Sequence, residues 1–460
     1  MFTELPVEKL RFRAPRVYTL KEAERFVSSE FQDMEEYLSS LYTEETEETA
    51  ESAEGGDAEL ERSHRRERKE KAQMDSFLRY LAILSRDPTQ QDRAEQLLKA
   101  SFTKYEESLL SKAVASELYG ARILGSITRL ENYSQCAYQH FLRYGLRLQE
   151  RESFDLQMYD IGNLYHGALE QSFRKAKEEK RPLEKMEEAE LRTLAAESVS
   201  ETSASYNHGI LMDTARNQYL VRKATDITST TLWALAEQLR RGDFRVDGLE
   251  KSFDYLREDM RLTGRIDRVD IAEDEGHVYV KVIDYKSGKT SFDLTRIYDG
   301  MQLQLTTYLN VAMAEAAERY PDREIVPAAM FYYHIEDPVL DYDPARTASD
   351  TAHERLKKLM MDGLVNTELS VVQKLDHEIQ QSSDILPVTI KAGVVDASKK
   401  NVASTKRFQD LRHFVDRKMQ GFAREIRSGV IGVHPIRLSS DTTACSWCPY
   451  HSICGFDPRI

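Results

Sequence analysis

Four cysteines occur in this chain of 460 residues, and their spacing suits metal binding. Three lie near the C-terminus in the pattern Cys445-x2-Cys448-x5-Cys454, and the fourth, Cys136, lies far upstream. Thiolates are the soft ligands that zinc ions and iron–sulfur clusters take in fours. The pattern therefore predicts one four-thiolate site that joins an early part of the chain to its end. The spacing leaves both zinc and an iron–sulfur cluster open as its content.

A second group of residues combines carboxylates with a lysine. Gly264-Arg265-Ile266-Asp267 is followed by Ile283-Asp284-Tyr285-Lys286, and alternating apolar residues indicate that each segment is a strand. Paired strands would bring both carboxylates to one Mg²⁺ or Mn²⁺ ion, which prefer hard oxygen ligands. Lys286 would leave the same strand face as Asp284. Its ammonium could orient the attacking water and neutralise charge on a phosphate transition state, so the residues predict a metal-dependent nuclease.

Three more side chains fit such a site. His166, in the pattern Gly162-x-x-x-His166 on a predicted helix, could supply another metal ligand. Gln304 and Tyr308 lie one helical turn apart and could contact a phosphate or brace Lys286. Each pattern alone is common in surface ion pairs and hydrogen-bonded side chains, but their order within one domain favours the nuclease.

Taken together, these motifs resemble the PD-(D/E)XK superfamily, specifically its RecB-like nuclease branch, over about residues 120–460. The cysteine pattern resembles the iron–sulfur nucleases of that branch. They include Cas4-type exonucleases and the nuclease domain of AddB, which is part of bacterial AddAB helicase–nucleases. The segment from Gln302 to Leu309, the long insert before the cysteines and His434-Pro435 ahead of Cys445 resemble AddB more closely.

The resemblance implies a fold and a role for each motif residue. The implied fold is α/β, a restriction-endonuclease-like core with a central mixed sheet, many flanking helices and a cysteine clasp. The implied [4Fe–4S] ligands are Cys136, Cys445, Cys448 and Cys454. The implied metal ligands are His166, Asp267 and Asp284, with Tyr285 as a further candidate. The implied catalytic residues are Asp267, Asp284, Lys286, Gln304 and Tyr308.

The resemblance also implies substrates and partners. We expect a Mg²⁺-dependent DNA exonuclease that processes double-strand break ends for recombinational repair and cuts the 5′-terminated strand. Its partners would be DNA ends, single-stranded tails and an AddA-type subunit. A stand-alone Cas4-like exonuclease and a non-catalytic DNA-binding scaffold remain the alternatives.

The elements that must position these residues follow from local patterns. Residues 1–120 are predicted to be a helical N-terminal region, a remnant of a helicase-like part, with a disordered acidic linker at about 44–72. Residues 121–460 are predicted to be the nuclease domain. Because AddB proteins are far longer, we expect this chain to be either the C-terminal part of a longer protein or a shortened homologue.

Within the predicted nuclease domain, a helix opening at Ser126 should contain Cys136, and Thr128 with Glu131 fits a capping box. Further helices are predicted at about 161–180, 187–241 and 301–317. A strand is predicted at 328–335, and more helices are predicted from its end to about residue 426. A hairpin is predicted near 386–395.

Composition limits the class of protein. The chain is 41% hydrophobic and 31% charged, and it has neither a secretory signal nor an apolar run long enough to span a bilayer. We therefore expect a cytoplasmic protein whose thiols stay reduced. The net charge of −14 argues weakly against a nucleic-acid binder, but residues 44–61 alone carry nine acids. The basic run from Arg62 to Lys71 fits either a DNA contact or a solvated helix start.

Overall fold

The computed structural model describes residues 109–149, 156–341, 345–439 and 442–454, together with Thr89 and Phe456. The predicted acidic linker, the basic run from Arg62 to Lys71 and nearly all of the predicted N-terminal helical region lie outside these residues.

Seven strands form one mixed sheet in the order β1-β3-β4-β5-β6-β9, with β2 paired to β3. Their bounds are β1 Ile123–Gly125, β2 Arg245–Leu256, β3 Met260–Glu273, β4 His277–Lys286, β5 Glu324–His334, β6 Asp362–Asn366 and β9 Val402–Ala403. Two short hairpins lie apart from it: β7 Ile390–Lys391 with β8 Val394–Val395, and β10 Arg437–Ser439 with β11 Thr442–Thr443. Three sheet pairs are parallel, namely β1 with β3, β4 with β5, and β6 with β9.

Helices cover both faces of the sheet. They are α1 Lys112–Tyr119, α2 Ile127–Gln135, α3 Ala137–His140, α4 Met158–Glu178, α5 Glu188–Ser205, α6 Ala215–Arg240, α7 Leu294–Asp299, α8 Gln304–Arg319, α9 Ala348–Lys358, α10 Leu369–Leu375, α11 Thr405–Ser428 and α12 His451–Cys454. One core packs α4, α5 and α6 against the sheet, and the other packs α1, α2, α8 and α11 against its opposite face. Among the described residues, no helix is both long enough and apolar enough to cross a membrane.

The central strands explain where functional side chains collect. Nearly every residue of β4 and β5 is buried, because helices cover the sheet on both sides. Since β4 and β5 are parallel, the chain must cross back between them, and it does so through α7 and α8. The C-terminal end of β4, with Asp284 and Lys286, therefore lies beside the start of α8, with Gln304.

The predicted α/β fold class is confirmed: the sheet is mixed and flanked by many helices. The strands near Asp267 and Asp284 form the antiparallel pair β3–β4. Two predictions about where helices lie were wrong. The stretch after residue 335 is not wholly helical, because it contains β6 and β9, which are too short for a clear alternation. Cys136 lies not inside a helix but between α2 and α3, with an extended backbone (φ −168°).

The close approach of β5 and β6 predicts a stability effect. Gly363 pairs with Phe331, and a Cβ at Gly363 would lie 2.1 Å from the carbonyl oxygen of Met330. Gly363→Ala should therefore force the strands apart and lower the free energy of unfolding by about 1–3 kcal/mol. Chemical denaturation measures this loss. Gly276→Ala, in an exposed turn where a Cβ meets no atom within 4 Å, is the control. Equal losses in both variants would contradict the packing argument.

Candidate functional site

Asp267 and Asp284 lie where β3 and β4 separate. The last pair in the register of these strands is Arg268 with Ile283, so the two aspartates follow on facing positions. Both are buried. The backbone N–H of Tyr285 donates a hydrogen bond of 2.6 Å to Asp267 Oδ2, which fixes that carboxylate against the end of β4.

His166 and Glu250 complete a cluster around Asp267. His166 Nδ1 lies 3.4 Å from Asp267 Oδ1 and 3.6 Å from Glu250 Oε1, and one ligand atom from each residue lies within 4.8 Å of the others. Burial opposes the charge on His166, but both carboxylates favour it and together raise the pKa of the imidazole to about 10. Two carboxylates and an imidazole at this spacing could hold a divalent cation.

Sequence reasoning missed Glu250. The residue pairs on either side of Glu250 in β2 put Glu250 opposite Asp267 on the neighbouring strand β3. The backbone of Glu250 is left-handed (φ 41°), a conformation that non-glycine residues rarely adopt. The sequence holds no signal for it, because a single glutamate on a half-exposed strand belongs to no motif.

Asp284 and Lys286 form an ion pair. Lys286 Nζ lies 2.6 Å from Asp284 Oδ2, so both side chains share one strand face as predicted. Burial disfavours the ionised carboxylate and raises the pKa of Asp284 to about 7, although the charge of Lys286 acts in the opposite direction. The charge of Asp267 raises the pKa further. A cation bound beside Asp284 would favour its ionised form and displace this proton.

Gln304 links Lys286 to helix α2. Lys286 Nζ donates a hydrogen bond of 3.1 Å to Gln304 Oε1. The Nε2 group of Gln304 in turn donates to Thr128 Oγ1 at 3.2 Å and to Glu131 Oε2 at 3.5 Å. Gln304 is thus held from both ends of its amide, and it braces the lysine.

Glu131 has a different role from the one predicted. Helix α2 begins after Ser126, so Thr128 lies inside its first turn and cannot form the capping box. Instead, the backbone N–H of Leu303 donates a hydrogen bond of 2.7 Å to Glu131 Oε1. The start of a helix leaves N–H groups without partners and favours negative charge, so the carboxylate caps α8 across the domain. Burial nonetheless raises the pKa of Glu131 to about 7.

Tyr308 and Tyr285 frame the acidic cluster. Tyr308 packs edge-on against Phe253, with ring centroids 5.7 Å apart. There is room for the Phe253 ring because residue 264 is glycine; a Cβ at Gly264 would lie 2.9 Å from that ring. Burial, and then the charge of Asp284, raise the pKa of the Tyr308 phenol, so it stays protonated. The ring of Tyr285 packs edge-on against the rings of Tyr333 and His166. The backbone N–H of Tyr285 donates the hydrogen bond to Asp267 that is described above.

The four cysteines line one cavity at the other end of α2. None forms a disulfide. Backbone hydrogen bonds hold the two parts of the chain together there, because Tyr138 N–H donates to Gly432 O at 3.2 Å and Ile436 N–H donates to Gln135 O at 2.9 Å. Burial raises the pKa of the Cys136 thiol, while the N–H groups of Gln139 and Tyr138 lower it. Such donors would stabilise a thiolate ligand.

Comparisons with known proteins agree with this geometry. The sequence profile described as the PD-(D/E)XK nuclease superfamily matches residues 125–455. The chain is 37% identical over 376 residues to the AddB protein of Lachnoclostridium phytofermentans, an ATP-dependent helicase/deoxyribonuclease subunit, covering 80% of this chain and 32% of that protein. It is 32% identical over 387 residues to the protein of the same name from Desulforamulus reducens, covering 82% and 33%. The chain thus matches about a third of the length of these curated relatives.

Replacing Glu131 tests its role in capping α8. Glu131→Ala leaves the N–H of Leu303 buried without an acceptor, so the free energy of unfolding should fall by about 1–3 kcal/mol. Glu131→Gln keeps an amide oxygen as acceptor and should cost less. Chemical denaturation distinguishes the two, with Glu117→Ala on the exposed side of α1 as control. Identical stability of Glu131→Ala and Glu117→Ala would contradict the capping role.

Proposed function

The chain belongs to the PD-(D/E)XK nuclease superfamily, and from that premise we propose that it hydrolyses DNA phosphodiesters with Mg²⁺ as the nuclease part of an AddB-type protein. The observation that carries the proposal is the group of His166, Glu250 and Asp267 beside the Asp284–Lys286 ion pair. Hard ligands, a buried acid and a positioned lysine meet there at the end of a rigid strand.

The residues of the site divide into metal ligands, a lysine that acts on water and phosphate, and a tyrosine that donates to the phosphate. Asp267, Asp284, Glu250 and His166 would hold one or two Mg²⁺ or Mn²⁺ ions. When bound, such an ion lowers the pKa of its water and stabilises charge on the leaving oxygen. Lys286, braced by Gln304, points its ammonium at the same place and would orient the attacking water and bind a phosphate oxygen. Tyr308, which remains protonated, would donate a hydrogen bond to the phosphate.

The wider biological role rests on the relatives. Their name describes one subunit of a helicase and deoxyribonuclease, which implies at least one other subunit in those proteins. We infer by similarity that this chain acts with an AddA-type subunit in the cytoplasm, processes double-strand break ends and cuts the 5′-terminated strand. The 30–37% identity over about 80% of the chain supports this assignment over a stand-alone exonuclease.

The cysteine cavity is proposed to hold a [4Fe–4S] cluster. Its four ligands would be Cys136, Cys445, Cys448 and Cys454, which line the cavity together. Clusters of this type take four cysteine thiolates, and the similarity to AddB-type proteins favours a cluster over a single zinc ion. The cluster would tie the last residues of the domain to the end of α2, closing a loop that contains every strand of the sheet except β1.

Two substitutions test the catalytic assignment. Asp284→Ala should lower the rate of Mg²⁺-dependent DNA cleavage about a hundredfold or more and weaken Mn²⁺ binding, because it removes a ligand. Lys286→Ala should lower the rate comparably but leave Mn²⁺ binding intact, because an ammonium does not bind a cation. Cleavage assays and Mn²⁺ titration measure both effects. Lys289→Ala, which removes an exposed lysine from the loop that follows β4, is the control. Near-wild-type cleavage by Asp284→Ala would refute the proposed site.

A substitution of Cys136 tests the cluster. Cys136→Ala should lose iron and leave the C-terminal tail open to protease, because the ligands from the two parts of the chain no longer meet. Iron and sulfide analysis of anaerobically purified protein gives the measurement, and Cys454→Ala should behave alike. If the Cys136→Ala protein keeps its full complement of iron and its tail resists protease, Cys136 is not a cluster ligand. Stoichiometric zinc in the wild-type protein would exclude the cluster.

A further inference from the structure

A second concave surface lies beside the cysteine tail, on a different side of α2 from the acidic site. It is an open cavity of about 860 Å³, within the range of small-molecule pockets. Three arginines, Arg129, Arg143 and Arg147, line it together with Tyr119, Tyr144 and Tyr450. No acidic residue of the described part of the chain lines it, although the whole chain has a net charge of −14. We call it the arginine–tyrosine pocket.

Stacking and hydrogen bonds hold part of this lining in place. The guanidinium of Arg129 lies 5.6 Å from the ring centroid of Tyr119 and 5.1 Å from that of Tyr144, and Arg143 lies 5.7 Å from Tyr144. Arg129 also donates to Leu124 O at 2.6 Å. The pocket is thus a preformed surface of flat rings and guanidinium planes, which suits a flat ligand that carries negative charge.

Among the residues that the structure describes, Arg129, Arg143 and Arg147 form no ion pair with a carboxylate, and no carboxylate lines the pocket beside them. Burial, together with the like charge of Arg147, lowers the pKa of Arg129. The hydroxyl of Tyr119 is buried and has no hydrogen-bond partner in this part of the chain. An anion with several acceptor oxygens would satisfy these groups at once.

We propose that the arginine–tyrosine pocket binds a nucleotide of the single DNA strand on which the acidic site acts. The guanidinium groups would hold its phosphates and the tyrosines would stack on its base, the combination that single-strand binding surfaces use. The inference rests on the proposed function. Helix α2 connects the two places, since Thr128 contacts Gln304 of the acidic site and its neighbour Arg129 faces the pocket. A strand that crosses the first turn of α2 would reach both.

Binding to DNA that is not cleaved tests the pocket. The full chain with Lys286→Ala is titrated against a fluorescent oligothymidylate of about 20 nucleotides, and affinity is followed by anisotropy over a range of salt concentrations. Arg147→Glu and Arg143→Glu should each weaken binding about tenfold or more. Each lost phosphate contact should also flatten the dependence of log K on log salt by about 0.7. The matched control is Arg192→Glu, which reverses an exposed charge on α5 and should change neither quantity.

The tyrosine supplies a second, independent variant. Tyr144→Ala should weaken binding roughly tenfold through lost stacking, and Tyr144→Phe should restore it, because the aromatic face is kept. Melting temperature and iron content show that each variant is folded. Unchanged DNA affinity in both folded arginine variants overturns the proposal and assigns the pocket to another ligand, such as an acidic protein segment. Failure of the wild-type chain to cleave DNA under any metal would instead reject the proposed function.

Discussion

The structure depends on giving each carboxyl group of a largely buried site a partner. Such groups are stable only when a donor or a cation lies beside them, and each of the four here has one. Asp267 accepts from the backbone of β4, Glu131 from the start of α8, Asp284 pairs with Lys286 and Glu250 with His166. These pairings come from several helices and strands, so the acidic site and the packing of the domain are determined together. A divalent cation would join this network as one more positive charge.

Helix α2 and the residue that follows it contact all three proposed sites. Glu131 points to the start of α8, Arg129 points to the arginine–tyrosine pocket, and Cys136 follows the last turn at the cysteine cavity. Residues on different sides of one rigid helix must keep their relative positions. If the four cysteines hold a cluster as proposed, contacts through α2, Glu131 and Gln304 would link it to Lys286. The contacts form a continuous chain, and double-mutant cycles are the way to measure its coupling energy.

Much of the site could be predicted from the sequence, because its residues recur at spacings that strand and helix periodicity brings together. Asp284 and Lys286 share a face for this reason, and Gln304 reaches Lys286. Glu250 could not be predicted, since its position depends on the register of β2 and on a left-handed backbone that no local pattern encodes. Glu131 was assigned to the wrong partner because Thr-x-x-Glu also fits a local cap, and only the packing of α8 against α2 decides between them.

Charge distribution explains how such an acidic chain could act on DNA. The net charge of −14 describes the whole sequence, but a strand of DNA responds to the field within about 10 Å of its phosphates. Within Thr405–Ser428, which forms α11, seven residues are Lys or Arg and three are acidic. The arginine–tyrosine pocket has three arginines and, among the described residues, no acid in its lining. Asp267, Asp284, Glu131 and Glu250 lie instead at the acidic site, where a metal would neutralise them. Separating the two signs at this scale would let one domain attract phosphates at one place and bind cations at another.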